Sequence, residues 1–159
     1  QRRVIKFCSF NNERLMMNLD ELKAEAKEDL AIIDEDNLDQ ESYKNQKIKP
    51  KWLEYKNHFE GLLILSKRNH QILYRQKWMY YGGKEEDKVY AAKPFDLKVL
   101  KTDLQMFINT DEEILDAQGK IQYYESIIKY IDGIIKSIDN RGWDIRNSQD
   151  WKKFLAGGY

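Results

Sequence analysis

The stretch from Asn109 to Asn140 sets the tightest limit on what this chain can fold into. It reads as one helix of about thirty residues, roughly 45 Å long at 1.5 Å per residue. Thr110 followed by Asp111, Glu112 and Glu113 makes a capping box, with acids where the helix dipole favours them, and Arg141-Gly142 supplies a closing cation and a helix-ending glycine. Between these ends Ile114, Ala117, Ile121, Tyr124, Ile128, Ile131, Ile135 and Ile138 alternate in steps of three and four, the seam of a coiled coil. Tyr123, Ile127, Tyr130 and Ile134 trace a second seam beside the first. Two adjacent isoleucine-rich seams are too wide for one zipper partner, so the helix is expected to touch neighbours on both sides, in a bundle or in a ring of identical subunits. Ile121, Tyr124, Ile127, Ile128, Ile131, Ile134, Ile135 and Ile138 are the candidate oligomerisation residues. Helices of the same chain covering the second seam are the alternative.

The 159 residues support one domain with at most a small appendage, and only two prolines and eight glycines interrupt them, so the expected class is all-α. Lys plus Arg equals Asp plus Glu at 27 each. A neutral chain has no global field to steer a polyanion, and any nucleic-acid site must come from local clustering. Clustering is present. Residues 20–41 carry ten acids against Lys23 and Lys27, whereas Lys51, Lys56, Lys67, Arg68, Arg75 and Lys77 face only Glu54 and Glu60 between 51 and 77. Cys8 stands alone, so no disulfide framework forms within one chain and a reducing cytoplasm is the natural compartment. No apolar run approaches the about eighteen residues of a membrane span.

Residues 1–16 look foreign to the rest. The chain opens on Gln1, Met16-Met17 precede the first convincing helix, and Glu13-Arg14 is encodable by a purine-rich GAGAGG of the kind that precedes a bacterial start codon. We expect a leader or non-native extension there, with a short strand over 4–10 as the alternative. An amphipathic helix is expected from Asn18 or Leu19 to about Ile33, on a stripe of Leu19, Leu22, Ala26, Leu30 and Ile33. Leu38 to Asn45 reads as a short helix, and Lys49-Pro50 as a boundary. The next helix is expected to open at Pro50, carry Trp52, Tyr55, Phe59, Leu62 and Leu63 inward, and stop at Gly82-Gly83. Lys84 to Lys93 reads as a charged linker, and 94–108 is too apolar to be a free loop. Arg141-Gly142-Trp143 reads as a corner before a last short helix, capped by Asn147-Ser148 and ended at Gly157.

Catalysis finds little footing. His58 and His70 lie twelve residues apart without cysteine or acidic company, no glycine loop cradles a phosphate, and the carboxylates look like solvated faces, so neither a metal nor another cofactor is expected. The informative stretch is Lys67 to Tyr81, KRNHQILYRQKWMYY, where cations alternate with aromatics. Single-stranded nucleic acid offers phosphate charge and exposed base faces, which proteins meet with Lys or Arg and stacking rings. The candidate DNA-binding residues are Lys67, Arg68, Tyr74, Arg75, Lys77 and Trp78. On a helix Arg68 and Arg75 share one face, while Arg75 and Lys77 point about 200° apart. Two other readings stay open: Tyr74, Trp78 and Tyr81 belong to the core and the cations only solubilise the far side, or the basic helix of a non-catalytic oligomeric scaffold binds an acidic protein.

KWL at Lys51 to Leu53, YRQKWMYYGG at Tyr74 to Gly83 and QYYESIIKYIDGIIKSIDNRGWDIRNSQDWKKFLAG at Gln122 to Gly157 resemble, in order, the UvsY family of phage recombination mediators. The resemblance spans about Met17 to Gly157. It implies a non-catalytic protein, without cofactor or membrane association, in the cytoplasm of the bacterial host. It further implies single-stranded DNA binding, help in displacing the phage single-strand binding protein, loading of a RecA-like phage recombinase, and a ring-shaped homo-oligomer, hexamer or heptamer, joined chiefly through the carboxyl-terminal helices. The family's Leu-Lys-Ala-Arg-Leu motif before a Tyr-Tyr pair aligns its Lys on Arg75 and its Arg on Lys77. Its flanking leucines fall on Tyr74 and Trp78, a departure that keeps both charges and adds rings. In this reading residues 17–93 form an amino-terminal helical DNA-binding region and 94–159 a carboxyl-terminal helical oligomerisation region.

Overall fold

The structure, a computed structural model, describes residues 18–95 and 97–157, so the expected leader over 1–16 and its strand alternative lie outside the described residues. The described residues are all-α, with α1 at Leu19–Asp29, α2 at Leu38–Tyr81, α3 at Asp87–Ala92, α4 at Leu104–Asn109 and α5 at Glu112–Leu155. They form two compact units, one of residues up to His58 with Lys129 onward, the other of Phe59–Ile128.

In the first unit α1 opens as its sequence requires. The Asn18 side chain accepts from the amides of Asp20 and Glu21 while Glu21 accepts from the Asn18 amide, which satisfies donors that a helix start leaves bare. Leu22 and Ala26 are buried with Leu38, Ile48, Trp52 and Tyr55 of α2 and Ile131, Ile134, Ile138 and Ile145 of α5. The polar rim is matched to this core: Trp52 Nε1 donates to Asp29 at 2.9 Å, and Lys51 pairs with Glu25 at 2.9 Å. α1 stops at Asp29 rather than near Ile33, because the Asp34 side chain accepts from the Asp36 amide and the Asn37 side chain and holds a turn that competes with helix.

Two expected boundaries are absent. α2 passes through Pro50, which sits inside the helix. A proline in a helix interior costs about 3 kcal/mol, but burying a large apolar side chain stabilises by about 1.5–3 kcal/mol, and Ile48, Trp52 and Tyr55 are all buried around it. The expected corner at Arg141-Gly142-Trp143 is likewise helical, and Asn147-Ser148 caps nothing because α5 runs on to Leu155. Arg141 is buried, donating to the carbonyl of Ala31 and the carboxylate of Glu41, and Ile138 and Ile145 are buried on either side of it. Gly142 serves close approach instead of termination: a Cβ there would lie 3.3 Å from the Asn45 side chain, which donates to the Ile138 carbonyl.

In the Phe59–Ile128 unit Phe59, Ile108, Ile114 and Ile127 are buried. The segment expected as a charged linker contains α3, and Phe95 and Phe107 join Tyr80, Tyr81 and Tyr90 in a ring cluster with centroids 5.1–6.2 Å apart. Tyr90 donates to the Tyr80 carbonyl at 2.7 Å and Tyr80 to the Lys93 carbonyl at 3.1 Å, so Tyr90, Phe95 and Phe107 pack on the end of α2 and Ile108 is buried, whereas Leu97 and Leu100, expected to pack with them, stay exposed, as does Met106. α5 begins at Glu112 with Asp111, not Thr110, as its cap: Asp111 accepts from the amides of Glu113 and Ile114, and Thr110 instead donates to Met106 at the end of α4.

Burial along α5 mixes the two expected seams. Ile127, Ile131, Ile134 and Ile138, four of the candidate oligomerisation residues, are buried within the chain, whereas Ile121, Tyr124, Ile128 and Ile135 are half-buried.

Candidate nucleic-acid interface

The carboxyl-terminal half of α2 carries the interleaved cations and rings. Taking Arg75 as zero, an ideal helix places Tyr74, Lys67, Trp78, Arg75 and Arg68 within an arc of about 120°, with Lys77 on the far side, about 200° round. The structure agrees with that division. Arg68 and Arg75 are exposed, and among the described residues neither has a carboxylate partner. Trp78 is exposed and Tyr74 half-buried, its ring tilted against His70 at 6.3 Å. Lys67 pairs with Glu125 at 2.8 Å with both side chains half in solvent, where such a pair is weak and easily exchanged.

Lys77 is placed differently from the other five. Its side chain is only 14% exposed and lies 2.9 Å from both Asp111 and Glu113. Tyr81 donates to the same Asp111 at 2.7 Å. Burial of Lys77 disfavours its charge, but the hydrogen bonds to Glu113 and Asp111 outweigh it and raise the ammonium above its usual range. Lys77 is therefore a charged side chain already neutralised by its own chain. Tyr81 belongs to the ring cluster and not to the exposed face.

Sequence reasoning missed Lys84. Gly83 takes a left-handed φ of 68°, the Lys84 amide returns to the Met79 carbonyl, and the Lys84 ammonium comes to lie 3.9 Å from the centre of the Trp78 ring. The signal was the Gly82-Gly83 pair: a helix-ending turn of this kind folds the next side chain back on the last turn. The face thus offers exposed guanidinium groups at Arg68 and Arg75 and a tryptophan ring with a cation beside it. That chemistry suits phosphates and the flat faces of unpaired bases. Among the described residues no cluster of His, Cys, Asp and Glu could hold a metal ion, and no helix is long and apolar enough to cross a membrane.

Residues 25–158 match the family model described as recombination, repair and ssDNA binding protein UvsY. The chain is similar to the recombination protein uvsY of enterobacteria phage T4, with 23% identity over 141 residues that cover 89% of this chain and 99% of that protein. In fold it is similar to a crystal structure of the bacteriophage T4 recombination mediator protein UvsY, with a TM-score of 0.77 at 23% identity over 88% of this chain and 98% of that one. A second lattice type of the same phage protein gives a TM-score of 0.75 at 21% identity, covering 85% and 98%.

Proposed function

The chain belongs to the UvsY family of recombination, repair and ssDNA-binding proteins, and from that premise we propose that it is a recombination mediator that binds single-stranded DNA through the outer face of α2. The observation that carries this reading is the pair Arg68 and Arg75, without a carboxylate partner among the described residues, beside the exposed Trp78 ring. Arg68 and Arg75 meet phosphates, Lys67 joins them by leaving Glu125, and Trp78 and Tyr74 offer ring faces to bases. Lys77 works from beneath, tying this end of α2 to Asp111 and Glu113 so that the face is rigid before DNA arrives.

Each subunit neutralises few phosphates, so one face alone binds weakly. A ring of six or seven subunits places identical faces on one strand, and avidity multiplies the contacts. Residues 17–93 supply the DNA face and 94–159 the assembly in this reading, with Ile121, Tyr124, Ile128 and Ile135 the expected oligomerisation residues of α5 that are not fully buried. A strand wrapped in this way strains the phage single-strand binding protein off the DNA and presents it extended to a RecA-like recombinase. The protein supplies no bond-breaking chemistry, and its place of action is the cytoplasm of the bacterial host.

A second reading, a non-catalytic oligomeric scaffold whose basic helix binds an acidic protein partner, draws on the exposed Ile64, Leu65 and Ile72 beside the same arginines. Fluorescence anisotropy of a labelled oligothymidine at moderate salt separates the two. Saturable binding is expected; no binding would leave the scaffold reading in its place.

A further inference from the structure

The exposed face of α2 is more than a basic stripe. On an ideal helix Ile64, Arg75, Arg68, Ile72 and Leu65 fall within an arc of about 100°, and Ile64, Leu65 and Ile72 are 69%, 51% and 48% exposed. Phosphates have no use for aliphatic side chains, so this half of the face suits an occupant that is both acidic and apolar. The chain itself contains such a segment. Between α1 and α2, Ile32 is 96% exposed and is followed by Asp34, Glu35 and Asp36 with no cation among them. The carboxylates of Glu35 and Asp36 make no ion pair among the described residues.

The loop is also pre-shaped. Asp34 accepts from the Asp36 amide at 3.0 Å and the Asn37 side chain at 2.8 Å, and Lys152 donates to the Glu35 carbonyl. A segment already ordered forfeits little entropy on docking. The whole chain is electrically neutral, yet the acids at 34–36 and the arginines at 68 and 75 lie in different segments. Oppositely charged patches on two molecules favour their association.

We propose that, without DNA, the acidic loop over 30–37 of one subunit docks on the Arg68 and Arg75 face of α2 in a second copy, with Ile32 against Ile64, Leu65 and Ile72, and that single-stranded DNA displaces it. The competition rests on the DNA-binding reading given above, whereas the contact between copies does not. Arg68 and Arg75 lie in the arc that faces DNA and in the arc that faces the loop, so the two occupants exclude each other.

Cross-linking between copies tests the contact. In a Cys8→Ser background, full-length chains carrying Asp36→Cys are co-assembled with chains carrying Ile72→Cys and mildly oxidised, and disulfide-linked dimers are read on a non-reducing gel. Dimers are expected to form at least about fivefold faster than with an exposed control, Lys120→Cys, and to be suppressed by high salt, which screens exposed charge pairs. A rate equal to the control overturns the contact. Oligothymidine is expected to suppress the link as well, and an unchanged link on DNA-bound protein overturns the competition.

A second measurement needs no cross-link. Ile32→Ser with Glu35→Gln and Asp36→Asn leaves the Asp34 turn in place, and is expected to bind oligothymidine about threefold more tightly than the parent at low salt, the scale of a few exposed ion pairs. Equal or weaker binding overturns the inference while the parent's DNA binding still stands. If the parent binds no DNA, the proposed function fails, and the cross-link alone decides whether the copies touch here.

Discussion

Tyr81 donates its phenolic hydrogen to Asp111 at 2.7 Å, joining the end of α2 to the cap of α5 within the Phe59–Ile128 unit. The other oxygen of Asp111 holds the amide of Glu113 at 3.0 Å, and Lys77 lies 2.9 Å from the carboxylate. One carboxylate thus caps a helix, neutralises a half-buried lysine and orients a tyrosine. The pH behaviour of this cluster follows from the same group.

Burial opposes the Asp111 charge, but the hydrogen bonds from Lys77 and Tyr81 outweigh it and hold the carboxyl below its usual range. Its stabilisation is complete above about pH 4 and is lost as the pH falls through the lowered value. At the alkaline end burial and the bond to Asp111 push the Tyr81 phenol up to about 12, and Lys77 is also raised. Their stabilisation is complete below about pH 10 and is lost as the pH rises through the raised values. Ultraviolet titration should show a last tyrosine ionising near pH 12 that Tyr81→Phe removes.

Asp111→Ala should lower the unfolding free energy by about 2 kcal/mol, combining a lost cap with an exposed imbalance at Lys77. Asp111→Asn should cost about half as much, since asparagine caps as well and Glu113 still meets Lys77. Urea denaturation of the two variants side by side checks the order.

Arg141→Met should cost about 3 kcal/mol in the same assay, because Glu41, a largely desolvated charge, is left without this partner. Adding Glu41→Leu should recover most of that loss, since an apolar pair of similar volume replaces a buried ion pair at little cost.

Pro50→Ala should stabilise the protein by about 1 kcal/mol, through the amide it restores inside α2 less the freedom it gives the unfolded chain. A fall in the urea midpoint would mean that the helix is not continuous there.

The helical class, the stop at Gly82-Gly83 and the inward positions of Trp52, Tyr55 and Phe59 were legible because periodicity and terminators are local signals. The boundaries at Pro50 and Arg141-Gly142 misled for the opposite reason: proline and glycine carry local penalties, and distant partners such as Glu41, Ala31 and Asn45 outweigh them. Lys77 shows the same limit at the candidate site. Its spacing placed it opposite Arg75, yet only the cap of a helix thirty-four residues on, at Asp111, explains where its charge goes. Lys84 was missed because Gly82-Gly83 was read only as a stop, whereas the left-handed Gly83 also turns the next side chain back onto Trp78.

The most direct measurement is the salt dependence of oligothymidine binding for the parent, Arg68→Ala with Arg75→Ala, and Lys77→Ala. Each phosphate contact on a single strand contributes about 0.7 to the slope of log affinity against log salt, so the arginine variant should flatten the slope by about 1.4 per subunit engaged. It should do so without changing the oligomer seen by light scattering. Lys77→Ala should instead lower the urea midpoint and leave the slope as it was. A flattened slope for Lys77→Ala together with an unchanged one for the arginine pair would contradict the assignment of the DNA face to the outer side of α2.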